Sequence, residues 1–288
     1  MPEGVVPGPP PAPPQPAPET KTVHDLAAFA WWTPFAAAIV ALVVTVVAVG
    51  LISIVVEATG KSLNGDDLPP GITIGGTLVQ DLALIGAAIL FAGVGGVRPT
   101  AAAFGLRRTR FWKALGIAVA IGVGFYVFSV VYAVAFGIEE DDDLPGKLGA
   151  KDSTLNFAAV AFMVCMAAPI AEEFFFRGFL FPALATVLGW IASAVVTGII
   201  FGAIHLGGTD AKLIPALMVL GALFCLLYKL TGSILPCIAL HAVNNAAALS
   251  LYMEFEAWEW LAALVAAPAA CMAVALPLTR RRARPALA

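Results

Sequence analysis

The stretch AEEFFFRGFL, residues 171 to 180, places two adjacent glutamates and an arginine inside an apolar run. An ionised side chain in the core of a bilayer costs at least ~2.5–3.5 kcal/mol, so such a cluster indicates a functional site. Two histidines, His205 and His241, also lie in apolar segments further along the chain. The question is whether the fold brings these four charged or polar positions and the arginine together.

The composition around this stretch is that of a membrane protein. Of 288 residues, 60% are hydrophobic and 12% are charged, whereas a soluble domain carries roughly 25% charged residues. We therefore predict an all-α membrane fold, a polytopic bundle of about eight transmembrane helices. The expected spans are 33–56, 76–97, 114–138, a segment from 155, 190–206, 213–230, 233–253 and 260–278.

The charges of the loops predict the orientation of the bundle. Arginines and lysines follow the second and the eighth span, and acidic residues follow the first, third and seventh. By the positive-inside rule both termini are then cytoplasmic. We expect a disordered proline-rich tail at 1–29, a membrane domain at 30–280 with its functional core at 155–253, and a basic tail at 281–288. Membrane lipids are expected neighbours, and nothing indicates nucleic acid. The four cysteines stand singly in apolar runs and are predicted to be core residues.

Helical spacing separates the roles of the two glutamates. Residues four apart share a helix face, so Glu173 is predicted to form a structural ion pair with Arg177. Glu172 points about 100° away and has no such partner, which suits it to act as a general base. Pro169 favours either the first turn of a helix or a kink within a longer one.

A turn at Leu188 and Gly189 predicts that the next helix runs back along this one. At ~1.5 Å per residue, Glu172 and His205 both lie ~22–24 Å from the turn, which makes them level. His241 and Asn245 are four apart and share one face of a third helix. For these residues to meet, either the hairpin extends beyond the cytoplasmic surface or the returning helix tilts, and we expect the first. Phe201 is expected to pack one turn below the His205 ring.

These residues, Glu172-Glu173-xxx-Arg177, Phe201-xxx-His205 and His241-xxx-Asn245, resemble the three motifs of the CPBP family of intramembrane proteases, which includes CAAX prenyl endopeptidases and Abi-type proteins. The resemblance implies that Glu172, helped by His205, activates a water that attacks a peptide bond. It implies that His241 and Asn245 hold the oxyanion, or that Glu172, His205 and His241 ligate a divalent metal such as zinc. No HExxH motif is present to support zinc. The implied substrate is a peptide or lipid-modified protein, as in CAAX processing or bacteriocin processing.

Two other functions share the same features. The scaffold is also that of a catalytically silent immunity or regulatory membrane protein. A small transporter is disfavoured because transporters usually show inverted repeats, and because the polar residues are expected in the second half of the chain only.

Overall fold

The computed structural model describes residues 29–60, 68–138, 144–206 and 208–279. The predicted tails at 1–29 and 281–288, the acidic stretch 139–143 and the terminal arginines lie wholly or almost wholly outside these residues. The described chain is helical apart from connecting segments. Its α-helices are α1 (Thr33–Ala58), α2 (Pro70–Val94), α3 (Phe111–Phe136), α4 (Leu144–Lys147), α5 (Thr154–Phe162), α6 (Ala168–Phe175), α7 (Phe181–Ala203), α8 (Ile214–Thr231), α9 (Leu235–Tyr252) and α10 (Ala257–Leu278).

Six stretches among the described residues are long and apolar enough to cross a membrane. They are α1, α2, α3, the continuous helical run Thr154–Ala203, α8 and α10. This confirms the polytopic helical bundle, and it leaves the figure of eight spans approximate. The run Thr154–Ala203 contains two of the predicted spans, and α9 carries a histidine and two asparagines that lower its hydropathy. The second span was placed too late, because α2 begins at Pro70, where proline suits the first turn of a helix.

Two short π-helical turns interrupt the helical run. The first covers Met163–Ala167 and the second covers Phe176–Leu180. A π turn accommodates one extra residue and is frequent at functional sites. In both cases a proline, Pro169 or Pro182, follows two residues after the turn. Pro169 therefore lies inside a longer helix rather than at the start of a new one.

The run reverses direction at Gly189, whose φ of 72° and ψ of 168° are not helical. The reversal brings the ring of Phe201 to 5.3 Å from that of Phe176, although 25 residues separate them in the sequence. A straight helix would place them ~37 Å apart at ~1.5 Å per residue. The predicted hairpin is therefore present, with its turn at the predicted glycine.

The loops gather at two opposite ends of the bundle. At one end, hydrogen bonds link Thr109 to Thr231, Ile234 to Gly105, and Arg108 to Thr279. We call this the basic end. At the other end, Lys147 donates to the Gly208 carbonyl and Lys151 pairs with Glu254 at 3.2 Å.

The core lies around the hairpin and α9. Its largest fully buried side chains include Arg177, Tyr228, Phe104, Phe179, Phe181, Phe201 and Phe224. All four cysteines are buried and free, as expected for core residues. Glycines set the close packing of the hairpin on α8, because a Cβ on Gly198 would lie 2.5 Å from the Met218 carbonyl oxygen. The charged arginine at the centre of this core belongs to the site described next.

Candidate active site

The side chains of Glu173 and Arg177 form an ion pair in the centre of the protein. Arg177 Nη1 lies 2.8 Å from Glu173 Oε1, and both side chains are fully buried. Arg177 Nη2 donates a second hydrogen bond, of 3.0 Å, to the Gly221 carbonyl of α8. The guanidinium also lies over two aromatic rings, 4.5 Å from the centroid of Phe201 and 4.9 Å from that of Phe224. The pair thus satisfies two charges that could not stay singly in such a core.

His241 of α9 connects the two glutamates. Its Nδ1 lies 2.9 Å from Glu173 Oε1, the oxygen that also accepts from Arg177. Because a carboxylate oxygen accepts, we assign the proton to Nδ1. The opposite ring nitrogen, Nε2, lies 3.9 Å from Glu172 Oε2. His241 therefore has one edge fixed by Glu173 and the other directed towards Glu172.

Glu172 differs from Glu173 in its exposure and in its contacts. Its side chain is 13% exposed, whereas that of Glu173 is fully buried. Oε2 of each glutamate is shielded from solvent without a hydrogen-bond partner among the described residues, but Oε1 of Glu173 is bonded to Arg177 and His241. Glu172 is therefore the more accessible of the two carboxylates.

The depth of the hairpin is set by its contact with α8. Nζ of Lys229, two residues before the end of α8, lies 5.0 Å from the centroid of the ring of Trp190, which follows Gly189. The hairpin turn therefore lies beside the end of α8. The expectation that the hairpin extends beyond the cytoplasmic surface stays a prediction.

His205 lies beside this cluster without joining it. Its Nδ1 is 2.7 Å from the Phe201 carbonyl, which requires the proton on Nδ1. Its ring lies 5.0 Å from that of Phe201, and the same phenylalanine lies 5.8 Å from the His241 ring. Phe201 thus contacts both imidazoles, and within the described residues no hydrogen bond or ion pair joins His205 to Glu172.

Asn245 is held by the first π turn. Its Nδ2 donates a hydrogen bond of 2.8 Å to the Val164 carbonyl. In π-helical geometry that carbonyl would bond the N–H five residues later, but this residue is Pro169, which has no N–H. Asn245 therefore satisfies an acceptor that the proline leaves free. Its own Oδ1 accepts at 3.3 Å from Asn244.

With this geometry in view, the comparison with protein families is informative. Residues 154–247 match the family model Rce1-like, described as Type II CAAX prenyl endopeptidase Rce1-like. This part of the chain resembles the Rce1-like family. The matched segment, about a third of the chain, contains Glu172, Arg177, His205, His241 and Asn245. The match confirms the family resemblance and supports an intramembrane protease of the CAAX prenyl endopeptidase type. No curated protein and no solved structure matches the chain.

Outside the Rce1-like segment, α2 contributes a residue that the sequence interpretation missed. Asp81 is 4% exposed, its Oδ2 has no hydrogen-bond partner among the described residues, and its carboxyl interacts electrostatically with Glu172. The expectation that polar residues lie only in the second half of the chain is therefore wrong. An aspartate in the middle of an apolar span was the signal, because it is as costly there as a glutamate.

The residues suggested as metal ligands do not form a metal site in the Rce1-like segment. Over the part of the chain that the structure describes, no group of three or more His, Cys, Asp or Glu side chains is arranged to hold a metal ion. His241 directs Nδ1 to Glu173, and Nδ1 of His205 is bound to the Phe201 carbonyl. Glu172, His205 and His241 therefore do not fit a shared ion, and no step below uses one.

Proposed function

We propose that the chain is an intramembrane endopeptidase in which Glu172 activates water for attack on a peptide bond. The observation that carries the proposal is the division between the two glutamates. Glu173 is neutralised by Arg177 and binds His241, while the Oε2 of Glu172 is buried without a partner beside the same imidazole. A family of endopeptidases matches this segment. The ion pair with Arg177 needs only Glu173, which leaves Glu172 for another role.

The charges of the cluster indicate which state of His241 serves the reaction. Among Glu172, Glu173 and Arg177, two carboxylates and one guanidinium leave one negative charge beside His241, which an imidazolium would balance. In that form both ring nitrogens donate, so Nδ1–H stays on Glu173 and Nε2–H is presented next to Glu172. A donor fixed in this way, away from bulk water, stabilises a developing oxyanion, and loss of one such donor typically costs ~10²–10³-fold in kcat.

Asn245 is the second proposed donor to the oxyanion. An amide nitrogen carries two N–H groups, and the Val164 carbonyl accepts only one of them. The bond to Val164 fixes the amide and leaves the other N–H for substrate. His241 and Asn245 are one turn apart on α9, so both can address the same oxygen.

His205 is proposed to act on the water side of the reaction. Because its Nδ1–H is bound to the Phe201 carbonyl, its Nε2 is free to accept a proton. No direct bond joins His205 to Glu172, so in the proposed complex the attacking water lies between them. Phe201 packs against both imidazoles. His241 is proposed to donate to the oxyanion, and His205 is proposed to act on the attacking water.

The water oxygen bonds to the scissile carbonyl carbon while one water proton passes to Glu172, and the carbonyl oxygen becomes the oxyanion held by His241 and Asn245. On collapse the C–N bond breaks, and the proton moves from Glu172 to the leaving nitrogen. The products are a carboxylic acid and an amine, and Glu172 is again an acceptor.

The family match supports the proposed substrate class. The match supports a protein substrate of CAAX type, with a prenylated cysteine near its carboxyl terminus; a bacteriocin-like peptide precursor is the alternative of the same reaction class. Comparing the cleavage of a prenylated peptide with that of an unprenylated leader peptide of equal length therefore distinguishes the two substrate classes.

The test uses the full chain in lipid nanodiscs and a fluorogenic farnesylated CAAX peptide, the same peptide without its farnesyl group, and a hydrophobic leader peptide. We expect cleavage of the farnesylated peptide. The cleavage rate should fall by at least 10²-fold in Glu172→Gln and should not change in Glu254→Gln, because the ion pair of Glu254 with Lys151 is exposed.

Full activity of a folded Glu172→Gln protein would exclude the mechanism. An inactive wild-type chain on all three peptides would favour the silent immunity or regulatory role. Inhibition by a chelator that zinc reverses would contradict the metal-free assignment.

A further inference from the structure

A cavity of about 410 Å³ opens at the basic end of the bundle, remote from the glutamates. It lies between the segment that leads into α3 and the end of α8. Its lining residues are Arg108, Thr109, Arg110, Lys113, Leu230 and Thr231. Three of these six side chains are cationic, and the proposed protease function uses none of them.

Hydrogen bonds hold the two walls of this cavity in place. Thr109 Oγ1 donates to the Thr231 carbonyl at 3.3 Å, and the N–H of Ile234 donates to the Gly105 carbonyl at 3.0 Å. Arg108 Nε donates to Thr279 Oγ1 at 3.2 Å, which fastens the end of α10 to the same place. The cavity is therefore a fixed part of the bundle rather than a gap between loose loops.

The positive charge of the cavity is not neutralised by the protein. Arg110 and Lys113 have no ion pair or hydrogen bond among the described residues. The sequence between Asp81 and Glu139 contains no acidic residue, and neither does that between Asp210 and Glu254. Arg110 is also the N-cap of α3 and its side chain does not cap the helix, so the helix contributes further positive potential. This arrangement is therefore suited to bind an anion.

The surroundings place the cavity at the level of lipid headgroups. Phe111 and Trp112, the first residues of α3, are 65% and 79% exposed, as expected for aromatic residues at a membrane surface. On the α8 side of the cavity, Nζ of Lys229 lies 5.0 Å from the centroid of the Trp190 ring. Leu230, which lines the cavity, is 48% exposed and continues into the apolar outer face of α8. A ligand with a phosphate and attached acyl chains matches both parts.

We propose that this cavity binds the headgroup of an anionic phospholipid, with the phosphate between Arg110 and Lys113 and the acyl chains along α3 and α8. Basic pockets between the ends of transmembrane helices are suited to such headgroups. A soluble anion would gain from the cations alone, whereas the exposed aromatic and aliphatic residues around the rim favour a lipid. The contact would stabilise the bundle at its basic end.

The test is native mass spectrometry of the delipidated full chain titrated with dioleoyl-phosphatidylglycerol or dioleoyl-phosphatidylcholine. We expect one phosphatidylglycerol to bind at least tenfold more tightly than phosphatidylcholine. The double variant Arg110→Gln with Lys113→Gln should lose this preference, and Lys113→Gln alone should reduce it. The matched control Arg98→Gln with Arg107→Gln removes two cations of the same linker that do not line the cavity, and it should keep the preference.

Three results would overturn the proposal. Equal affinity of the wild type for the two lipids would show that there is no headgroup site. Equal losses in the cavity variant and in the control would show a diffuse effect of net charge. Displacement of phosphatidylglycerol by millimolar inorganic phosphate would show a site for a free anion. All four substituted side chains are at least partly exposed, and equal melting temperatures verify that the variants fold.

Discussion

Oε1 of Glu173 accepts hydrogen bonds from both Arg177 and His241, at 2.8 and 2.9 Å, on two different helices. A single buried oxygen thus connects the ion pair of the hairpin to the imidazole of α9. A side chain that carries no chemistry in the proposed mechanism therefore links the two helices of the site. Several measurable differences between neighbouring residues follow from this arrangement.

The first difference is between the two glutamates. Glu173→Gln would leave the buried guanidinium of Arg177 without its counter-charge, and removal of one partner of a buried pair typically costs about 3–5 kcal/mol. Glu172→Gln removes no ion pair with an arginine and should leave the melting temperature within about 2 °C of that of the wild type. Thermal unfolding in detergent, followed beside the cleavage assay, checks this. The division of roles is wrong if Glu172→Gln is the less stable of the two.

A second difference is between the two asparagines of α9. Asn245→Ala leaves the Val164 carbonyl without its donor, at a cost of about 1–3 kcal/mol, and it removes the proposed oxyanion donor, so kcat should fall by ~10²-fold. Asn244 makes only long contacts, 3.3 Å to Asn245 and 3.5 Å to Tyr126. Asn244→Ala should therefore retain most activity and stability. Comparable kcat values for the two variants would remove Asn245 from the mechanism.

A third prediction concerns the packing of the hairpin on α8. A Cβ on Gly198 would lie 2.5 Å from the Met218 carbonyl oxygen and 2.8 Å from the Ala222 nitrogen. Both atoms are backbone, so Gly198→Ala forces the helices apart and should destabilise by at least ~1–3 kcal/mol. Gly116 of α3 has nothing within 4 Å of a Cβ, and Gly116→Ala should be neutral or stabilising by up to ~1 kcal/mol. Equal melting temperatures for these two variants would contradict the close approach.

A fourth prediction concerns the turn of the hairpin, where backbone conformation, and not steric contact, disfavours a side chain. A Cβ on Gly189 meets no atom within 4 Å, but its φ of 72° with ψ of 168° belongs to a region that only glycine adopts readily. Gly189→Ala should therefore cost ~1–3 kcal/mol through backbone strain alone. Gly50→Ala in α1, at an equally open site with ordinary φ, is the control and should not lower the melting temperature. A Gly189→Ala protein as stable as this control would mean that the turn has a different conformation.

The parts of the site that could be predicted from sequence are those set by local geometry. The spacing of four residues was sufficient to pair Glu173 with Arg177, and a glycine between two apolar runs was sufficient to place the hairpin turn. Both depend on the repeat of one helix and need no knowledge of its neighbours.

The parts that could not be predicted depend on contacts between helices. The two carboxylates point in different directions on their helix, yet one imidazole reaches both, because its two nitrogens lie on opposite edges of the ring. Counting along the hairpin made His205 level with Glu172, but level positions do not specify which neighbours a ring contacts. The charge of Asp81 within an apolar span was visible in the sequence, but its position beside Glu172 depends on the packing of α2 against α6, which spacing does not indicate.

The two π turns determine one way in which this site could be lost. Each π turn adds one residue to the helix, and one residue amounts to about 100° of rotation. Deleting a single residue within 163–167 would let the segment close as a regular helix, and every side chain upstream would then turn by that angle relative to Glu172 and Arg177. Asn245 would lose its acceptor although each named residue of the site remained. The helical phase of this segment, and not only the identity of its side chains, is therefore part of what the sequence must conserve to keep the site intact.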